Sequence, residues 1–357
     1  MEQLAPAVEA LRAGKLVVFP TETVYGIAVA ATDAAAVDRL RELKSRPASP
    51  FSVHIADRSE VGRYVHRTPV RARTLMAKAW PGPLTVLLPT GGGFPDAELA
   101  DPALYRRIAP HDVVGLRLPD DLATLRLLRE VRLSVLGTSA NLAGQTPAAS
   151  AQEAADQLGQ GVDLYLDAGP VRLAKASTVV EFEGEKLRVL RQGAYDQGSI
   201  ERMCRRSVLF VCTGNTCRSP MAAALYKKML AERLGCKVDE LPALGQEVLS
   251  AGSFAFEGGP ASPQAAEAVA QMGADLAGHR SRKLTGALIQ AVDLIFCMSR
   301  QHRQEVLAAI PAAAGKTLLL EEAGDIADPI GQDASAYRET AQRIARSLDR
   351  LMKENVL

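Results

Sequence analysis

Cys212 and Arg218 stand six residues apart in the run Cys212-Thr213-Gly214-Asn215-Thr216-Cys217-Arg218-Ser219. A cysteine thiolate is a strong nucleophile, and a guanidinium is a planar fork matched to phosphoryl oxygens. The spacing alone is a weak signal in a chain with five cysteines and 42 basic residues. The setting is stronger. The apolar run Ser207 to Val211 precedes the loop, and Pro220 falls where the first turn of a helix would lie. A loop between strand and helix gathers peptide N–H groups around one point, and the helix dipole adds positive charge there. Such a cradle binds a phosphoryl dianion and is expected to lower the pKa of Cys212. Gly214 permits the tight loop. Arg218 can clamp two phosphoryl oxygens, Ser219 can donate to the Cys212 sulfur, and Asn215 can pin the loop from within.

Expelling a leaving group also needs a proton donor. Asp328-Pro329 lies in the loop Gly324 to Gly331. By itself Asp-Pro is turn material. Paired with the cradle, Asp328 reads as the acid for the leaving group and then as the base for the water that hydrolyses the thiophosphate.

These residues need a frame. At 357 residues the chain suits two domains. A polar stretch over 194–206 separates them, giving about 1–200 and 206–357, with a linker of about a dozen residues. In the second part, strand-like runs at Ser207–Val211, Val248–Ser250, Val292–Phe296 and Thr317–Leu320 alternate with helices, the last from about Tyr337 to Met352. That alternation predicts a doubly wound parallel sheet. In the first part, strand-like runs are Leu16–Phe19, Phe51–Ile55, Leu84–Leu88, Val114–Leu118 and Ser134–Gly137, with a hairpin over Ser177–Leu190 turning at Glu183-Gly184-Glu185. Helices are predicted over 33–46 and 70–79. A twisted α/β sheet is expected there.

Composition narrows the classes. Residues 1–200 carry 23 basic and 23 acidic side chains, and the rest 19 and 18, so neither half is a polycation built to grip nucleic acid without sequence preference. No apolar run reaches the roughly 18–20 residues of a membrane span. The amino terminus has no signal-peptide pattern. An odd number of cysteines, two inside one loop, argues against a disulfide framework and for a reducing cytoplasm.

Cys212 to Ser219, Ser250-Ala251-Gly252, His279-Arg280-Ser281-Arg282, Asp293-Leu294-Ile295-Phe296-Cys297-Met298 and Asp328-Pro329 together resemble the low-molecular-weight protein tyrosine phosphatase family over about residues 206–357. The resemblance implies a small doubly wound sheet with the catalytic cysteine after its first strand, and no cofactor. Thr213 and Thr216 resemble the bacterial protein-arginine phosphatase branch. Members acting on phosphotyrosine tend to carry a bulky aliphatic residue at the Thr216 position and aromatic residues after Asp-Pro; Ile330-Gly331 follow here. Phosphoarginine is therefore expected over phosphotyrosine. The related arsenate reductase chemistry needs a thiol relay, and Cys236 and Cys297 are far apart in sequence. Cys297 reads as a buried structural thiol, whereas Cys217 is near enough to Cys212 for a protective disulfide.

In the first part, Lys44 and Arg46 at a turn are either a solvated pair or a phosphate-holding pair. Thr138-Ser139-Ala140-Asn141 after a strand is either a turn or a binding site, and His54 on an alternating strand is either a packed or a catalytic imidazole. With them come Pro20-Thr21-Glu22-Thr23-Val24-Tyr25-Gly26, Lys44-Ser45-Arg46-Pro47, Trp80-Pro81-Gly82-Pro83-Leu84-Thr85, Gly115-Leu116-Arg117-Leu118-Pro119, Ser177-Thr178-Val179 and Leu190-Arg191-Gln192-Gly193. In this order they resemble the YrdC-type threonylcarbamoyl-AMP synthase family over about residues 1–200. The resemblance implies that L-threonine, bicarbonate and ATP are joined with release of pyrophosphate, Mg²⁺ accompanying the ATP, and that separate proteins transfer the product to tRNA. Lys44, Arg46, Ser139 and Asn141 would handle the nucleotide phosphates and the carboxylating carbon, and Arg191 would reach the nucleotide. Thr21, His54, Arg117 and Ser177 would hold threonine. Ser49-Pro50-Phe51 and Ala143-Gly144 depart from the family pattern, which bears on nucleotide affinity.

The expected whole is a bifunctional enzyme acting on these small molecules and on a phosphoprotein. An alternative makes the first part a nucleotide- or RNA-binding regulator gating a tyrosine phosphatase. A third makes the second part a phosphate-binding module without turnover, against which Cys212, Arg218 and Asp328 argue.

Overall fold

Short runs of aliphatic and β-branched residues punctuated by Gly and Pro favour strands, and in the computed structural model they build two sheets. The structure describes residues 4–45, 51–99, 101–354 and 356. The chain divides into two units, Met1–Cys204 and Arg205–Leu357, both α/β.

Among the described residues the first unit has nine strands: β1 (Val17–Phe19), β2 (Gly26–Ala30), β3 (Ser52–His54), β4 (Leu84–Pro89), β5 (Val113–Arg117), β6 (Val135–Ser139), β7 (Leu164–Tyr165), β8 (Thr178–Glu183) and β9 (Lys186–Arg191). They form one mixed sheet in the order β7-β1-β2-β6-β3-β5-β4-β8-β9. Register aligns Val135, His54, Arg117, Thr85 and Val179 in a row across β6, β3, β5, β4 and β8. Two positions away, Gly137, Ser52, Gly115, Leu87 and Glu181 form a second row. Residues two apart on a strand share a face. The row between them is Leu136, Val53, Leu116, Val86 and Val180, all fully buried in the main core of this unit. One face of the sheet is therefore core; on the other, Val135 joins a second core while His54, Arg117, Thr85 and Val179 line a cavity.

The helix expected over 33–46 is Ala34–Leu43, capped by the Asp33 carboxylate on the Ala36 N–H at 2.9 Å and burying Val37 and Leu40. Arg46 lies outside the described residues. The helix expected over 70–79 is present as Val70–Ala79.

The stretch 194–206 differs from the expected linker. It holds the helix Gln197–Met203, capped by Asp196, with Ile200 and Cys204 fully buried in the core of the first unit. One buried residue in a seven-residue helix leaves no periodicity to read.

The second unit has β10 (Arg206–Cys212), β11 (Gln246–Gly252), β12 (Leu294–Cys297) and β13 (Thr317–Leu319) in the order β11-β10-β12-β13, all parallel. Along β10, Val208, Phe210 and Cys212 join a core shared with the helices Arg218–Leu234 and Ala334–Lys353. Leu209 and Val211 join a separate core with Ile289 and Val306. Both faces are covered, as a parallel sheet requires. No helix among the described residues is long and apolar enough to cross a membrane.

Ile200→Ala tests whether the 197–203 helix belongs to the first unit. The sequence has a single tryptophan, Trp80, buried in the same core, so its fluorescence reports unfolding of that unit. Denaturant unfolding should show a loss of about 2–5 kcal/mol. An unchanged midpoint would return the segment to linker.

Candidate active sites

Cys212 ends β10 and the helix Arg218–Leu234 begins six residues on, so the intervening loop is closed by a strand end and a helix N-terminus. The chain leaving β11 braces it: the N–H groups of Ser253 and Phe254 donate to the carbonyls of Cys212 and Thr213, both at 3.0 Å. A Cβ on Gly252 would lie 2.4 Å from the Thr213 oxygen and 2.8 Å from the Asn215 nitrogen, so this close approach requires glycine.

Asn215 takes the left-handed conformation at φ 55° and is fully buried. Its Nδ2 donates to Ser219 Oγ at 2.9 Å, and its Oδ1 accepts from the Arg282 N–H at 2.8 Å. Its carbonyl accepts from His279 Nε2 at 2.8 Å, so His279 carries its proton on Nε2. Because Ser219 Oγ receives the Asn215 amide, its own hydrogen can turn to Cys212 Sγ, 2.9 Å away. Arg218 is buried and forms an ion pair with Asp328. Its Nη1 donates to the Ile326 carbonyl at 3.1 Å and its Nη2 to Thr213 Oγ1 at 3.2 Å. The fold thus brings the candidate nucleophile, clamp and acid to one loop, although Asp328 is 110 residues from Arg218.

Burial pushes the Cys212 thiol up, while the Ser219 hydroxyl, the Ser219 N–H, the Arg218 charge and the Asn215 N–H pull it down. The net direction is upward, opposite to the expectation from loop and dipole, because desolvation of the enclosed sulfur outweighs them. All five cysteines are free thiols. Cys217 Sγ lies 3.3 Å from Ser262 Oγ and 3.5 Å from Tyr337 OH, and 3.6 Å from the Thr216 hydroxyl.

Residues beyond the sequence reading join this site. His302 Nε2 is 2.9 Å from Thr213 Oγ1. Phe254 and Phe256 are 69% and 92% exposed, and Ile330 is 66% exposed, on segments bonded to the loop or flanking Asp328. Phe254 and Phe256 follow β11, not Asp328-Pro329.

In the first unit a cavity of about 540 Å³ opens on the polar face of the sheet. Thr21, His54, Arg117, Ser177, Ser139, Asn141 and Arg191 all line it. Lys44 is fully buried beside them, its Nζ donating to the Ser139 carbonyl at 2.7 Å, to Asn141 Oδ1 at 3.3 Å and to the Asn141 carbonyl. It therefore places its charge directly beneath the 139–141 turn.

Arg117 is anchored by one nitrogen. Its Nη2 donates to Glu22 Oε1 at 3.0 Å, to Thr21 Oγ1 at 3.2 Å and to the Thr23 hydroxyl. Glu22 in turn accepts from the Asp120 N–H at 2.9 Å. The buried Arg117 Nε has no partner among the described residues, so an acceptor from outside the protein would complete it. Burial, then the Arg117 charge, push His54 down to about 3, so it is neutral. Its Nδ1 lies 3.3 Å from the Ser52 carbonyl and must donate there, leaving Nε2 as an acceptor. Gly137 makes room for this ring: a Cβ would sit 2.7 Å from His54 Cε1. Arg191 Nη2 donates to Ser177 Oγ at 3.1 Å, and Ser177 Oγ is 3.2 Å from Thr85 Oγ1. Glu22 and Thr85 belong to the motifs 20–26 and 80–85. Only their partners reveal their role.

Comparison with known proteins assigns both units to families. Residues 9–193 match the family model Sua5/YciO/YrdC, described as "Telomere recombination". Residues 207–356 match "Low molecular weight phosphotyrosine protein phosphatase". The chain is 37% identical over 201 residues to the threonylcarbamoyl-AMP synthase of Bacillus subtilis, covering 56% of this chain and 56% of that protein. It thus spans about half the length of that relative. It is 38% identical over 152 residues to the protein-arginine-phosphatase of Bacillus subtilis, covering 41% of this chain and 95% of that protein. It is also 38% identical over 146 residues to a probable low molecular weight protein-tyrosine-phosphatase of Ralstonia nicotianae, covering 40% of this chain and 92% of that protein.

Ser219→Ala removes the hydroxyl that steadies a thiolate at Cys212. The pH midpoint of Cys212 alkylation should rise further, and an unchanged or lower midpoint would show that Ser219 does not hold the sulfur.

Proposed function

We propose two activities for this chain, which belongs to the Sua5/YciO/YrdC family through residues 9–193 and to the low molecular weight phosphotyrosine protein phosphatase family through residues 207–356. Synthesis is assigned to about residues 1–200 and phosphate hydrolysis to 206–357. The five free thiols suit a reducing cytoplasm.

The first activity is synthesis of threonylcarbamoyl-AMP. The threonine amine attacks the carbon of bicarbonate, water leaves, and an oxygen of the resulting carbamate attacks the α-phosphorus of ATP, expelling pyrophosphate. The observation that carries this reading is the unpartnered Arg117 Nε in a cavity that also holds a neutral imidazole and hydroxyls. A guanidinium anchored at Nη2 presents its other N–H groups to a carboxylate. His54 Nε2 can accept from the threonine amine or hydroxyl, and Thr21 and Ser177 flank them. Lys44, Arg46, Ser139, Asn141 and Arg191 would take the nucleotide. Mg²⁺ would accompany the ATP, held mainly by phosphate oxygens. Mg²⁺ would neutralise phosphate charge. Separate proteins would carry the product to tRNA.

The second activity is hydrolysis of a phosphoprotein. Cys212 attacks phosphorus as the thiolate, the leaving atom departs with the proton of the Asp328 carboxylic acid, and water then attacks the thiophosphate, passing its proton to the Asp328 carboxylate and returning the Cys212 thiolate. Arg218 exchanges its contact with Asp328 for phosphoryl oxygens. Phosphoarginine is the preferred substrate, supported by Thr216 and by Ile330-Gly331 after the acid. Phosphotyrosine is the second reading, favoured by exposed Phe254 and Phe256.

Pyrophosphate release should depend jointly on ATP, threonine and bicarbonate, and Arg117→Ala should abolish that release or sharply raise the KM for threonine. ATP or RNA binding without pyrophosphate would favour a regulatory domain. With phosphopeptides, Cys212→Ser should be inactive, and Asp328→Asn should lower kcat by about 10²–10⁴. kcat/KM should favour phosphoarginine, with Thr216→Ile moving preference toward phosphotyrosine. A wild type that prefers phosphotyrosine defeats the arginine reading.

A further inference from the structure

His302 is buried at 4% exposure behind the phosphate loop, on the helix Arg300–Ala309. Its Nδ1 is 2.7 Å from Oγ of Ser299, the residue that caps this helix, and its Nε2 is 2.9 Å from Thr213 Oγ1. Thr213 Oγ1 also lies 3.2 Å from Arg218 Nη2. A guanidinium only donates, so the Thr213 oxygen accepts from Arg218. The one hydroxyl hydrogen of Thr213 is then free for the imidazole, which makes Nε2 the acceptor and Nδ1 the protonated nitrogen. That proton goes to Ser299 Oγ, which accepts the His302 N–H as well. The donor direction therefore runs from Arg218 through Thr213 and His302 to Ser299. Burial and then the Arg218 charge keep the imidazole pKa low, in keeping with a neutral ring.

We propose that neutral His302 is a positioning residue of the Cys212 site: by taking the Thr213 hydroxyl hydrogen it turns the Thr213 oxygen toward Arg218 and sets the angle of the guanidinium above the loop. The consequence reaches the acid, because the same Arg218 nitrogen also contacts Asp328. Thr213 therefore works away from substrate, and of the two loop threonines only Thr216 remains for substrate discrimination. This rests on the phosphatase reading of the loop.

The test is a double-mutant cycle in the full chain with p-nitrophenyl phosphate. Losing one buried positioning bond is worth roughly tenfold in rate. His302→Asn and Thr213→Val should each lower kcat about tenfold with little change in KM, and the double variant should be no worse than about threefold below either single one. Thr213→Ser, which keeps the hydroxyl, should stay near wild type. Additive losses, or unchanged kcat in folded His302→Asn, overturn the proposal. Thr213→Val probes the same link if His302→Asn does not fold. A wild type without turnover refutes the phosphatase reading instead. Inorganic phosphate binding by calorimetry then decides: weaker binding in Thr213→Val than in Thr213→Ser supports the link, and equal binding overturns it.

Discussion

A β-strand turns only every second side chain to a given face, and both sites follow from that constraint. In the first unit Val53, Leu116 and Val86 must sink into the core. Their strand neighbours Ser52, His54, Arg117 and Thr85 are thereby committed to the opposite face, where they meet in one cavity. In β10, Cys212 shares a face with Val208 and Phe210, so the core that buries those two also encloses the sulfur. A register slip of one residue would exchange core and site in either sheet.

Each site then solves the same electrostatic problem. A buried guanidinium needs compensation, and in each case a carboxylate supplies it from a distant or turn segment: Glu22 for Arg117 and Asp328 for Arg218. The two pairs differ in what surrounds them. Glu22 is almost wholly buried and also holds the Asp120 N–H, so the pair is a fixed anchor that leaves Arg117 Nε for a ligand. Asp328 is about one-third exposed on a loop, so its contact with Arg218 is open to solvent and to exchange. Enclosure has the opposite effect on Cys212, where it raises the thiol and sets the local hydrogen bonds against it.

The strands of the first unit's central rows and all four of the second unit were legible as apolar runs, and their ends shifted by only a residue or two. β2 was not legible, although it begins at the last residue of a motif, because Gly26-Ile27-Ala28-Val29-Ala30 is buried on both faces and shows no polar alternation. The 197–203 helix was invisible because its one buried anchor finds its partners far away in sequence.

The sequence by itself determined the chemistry on offer: a cysteine and an arginine in a strand-to-helix loop, an Asp-Pro downstream, and an ordered set of polar motifs. Those are local facts, carried by residue type and spacing. Tertiary structure alone decided which polar atoms are spoken for. His302 binds the Thr213 hydroxyl across 89 residues, and Lys44 reaches the Ser139 carbonyl across 95. Packing also placed Phe254 and Phe256 on the segment that braces the phosphate loop. Hydrogen-bond direction and burial are properties of neighbours in space. A linear pattern can name a candidate acid or clamp, but not the group that orients it.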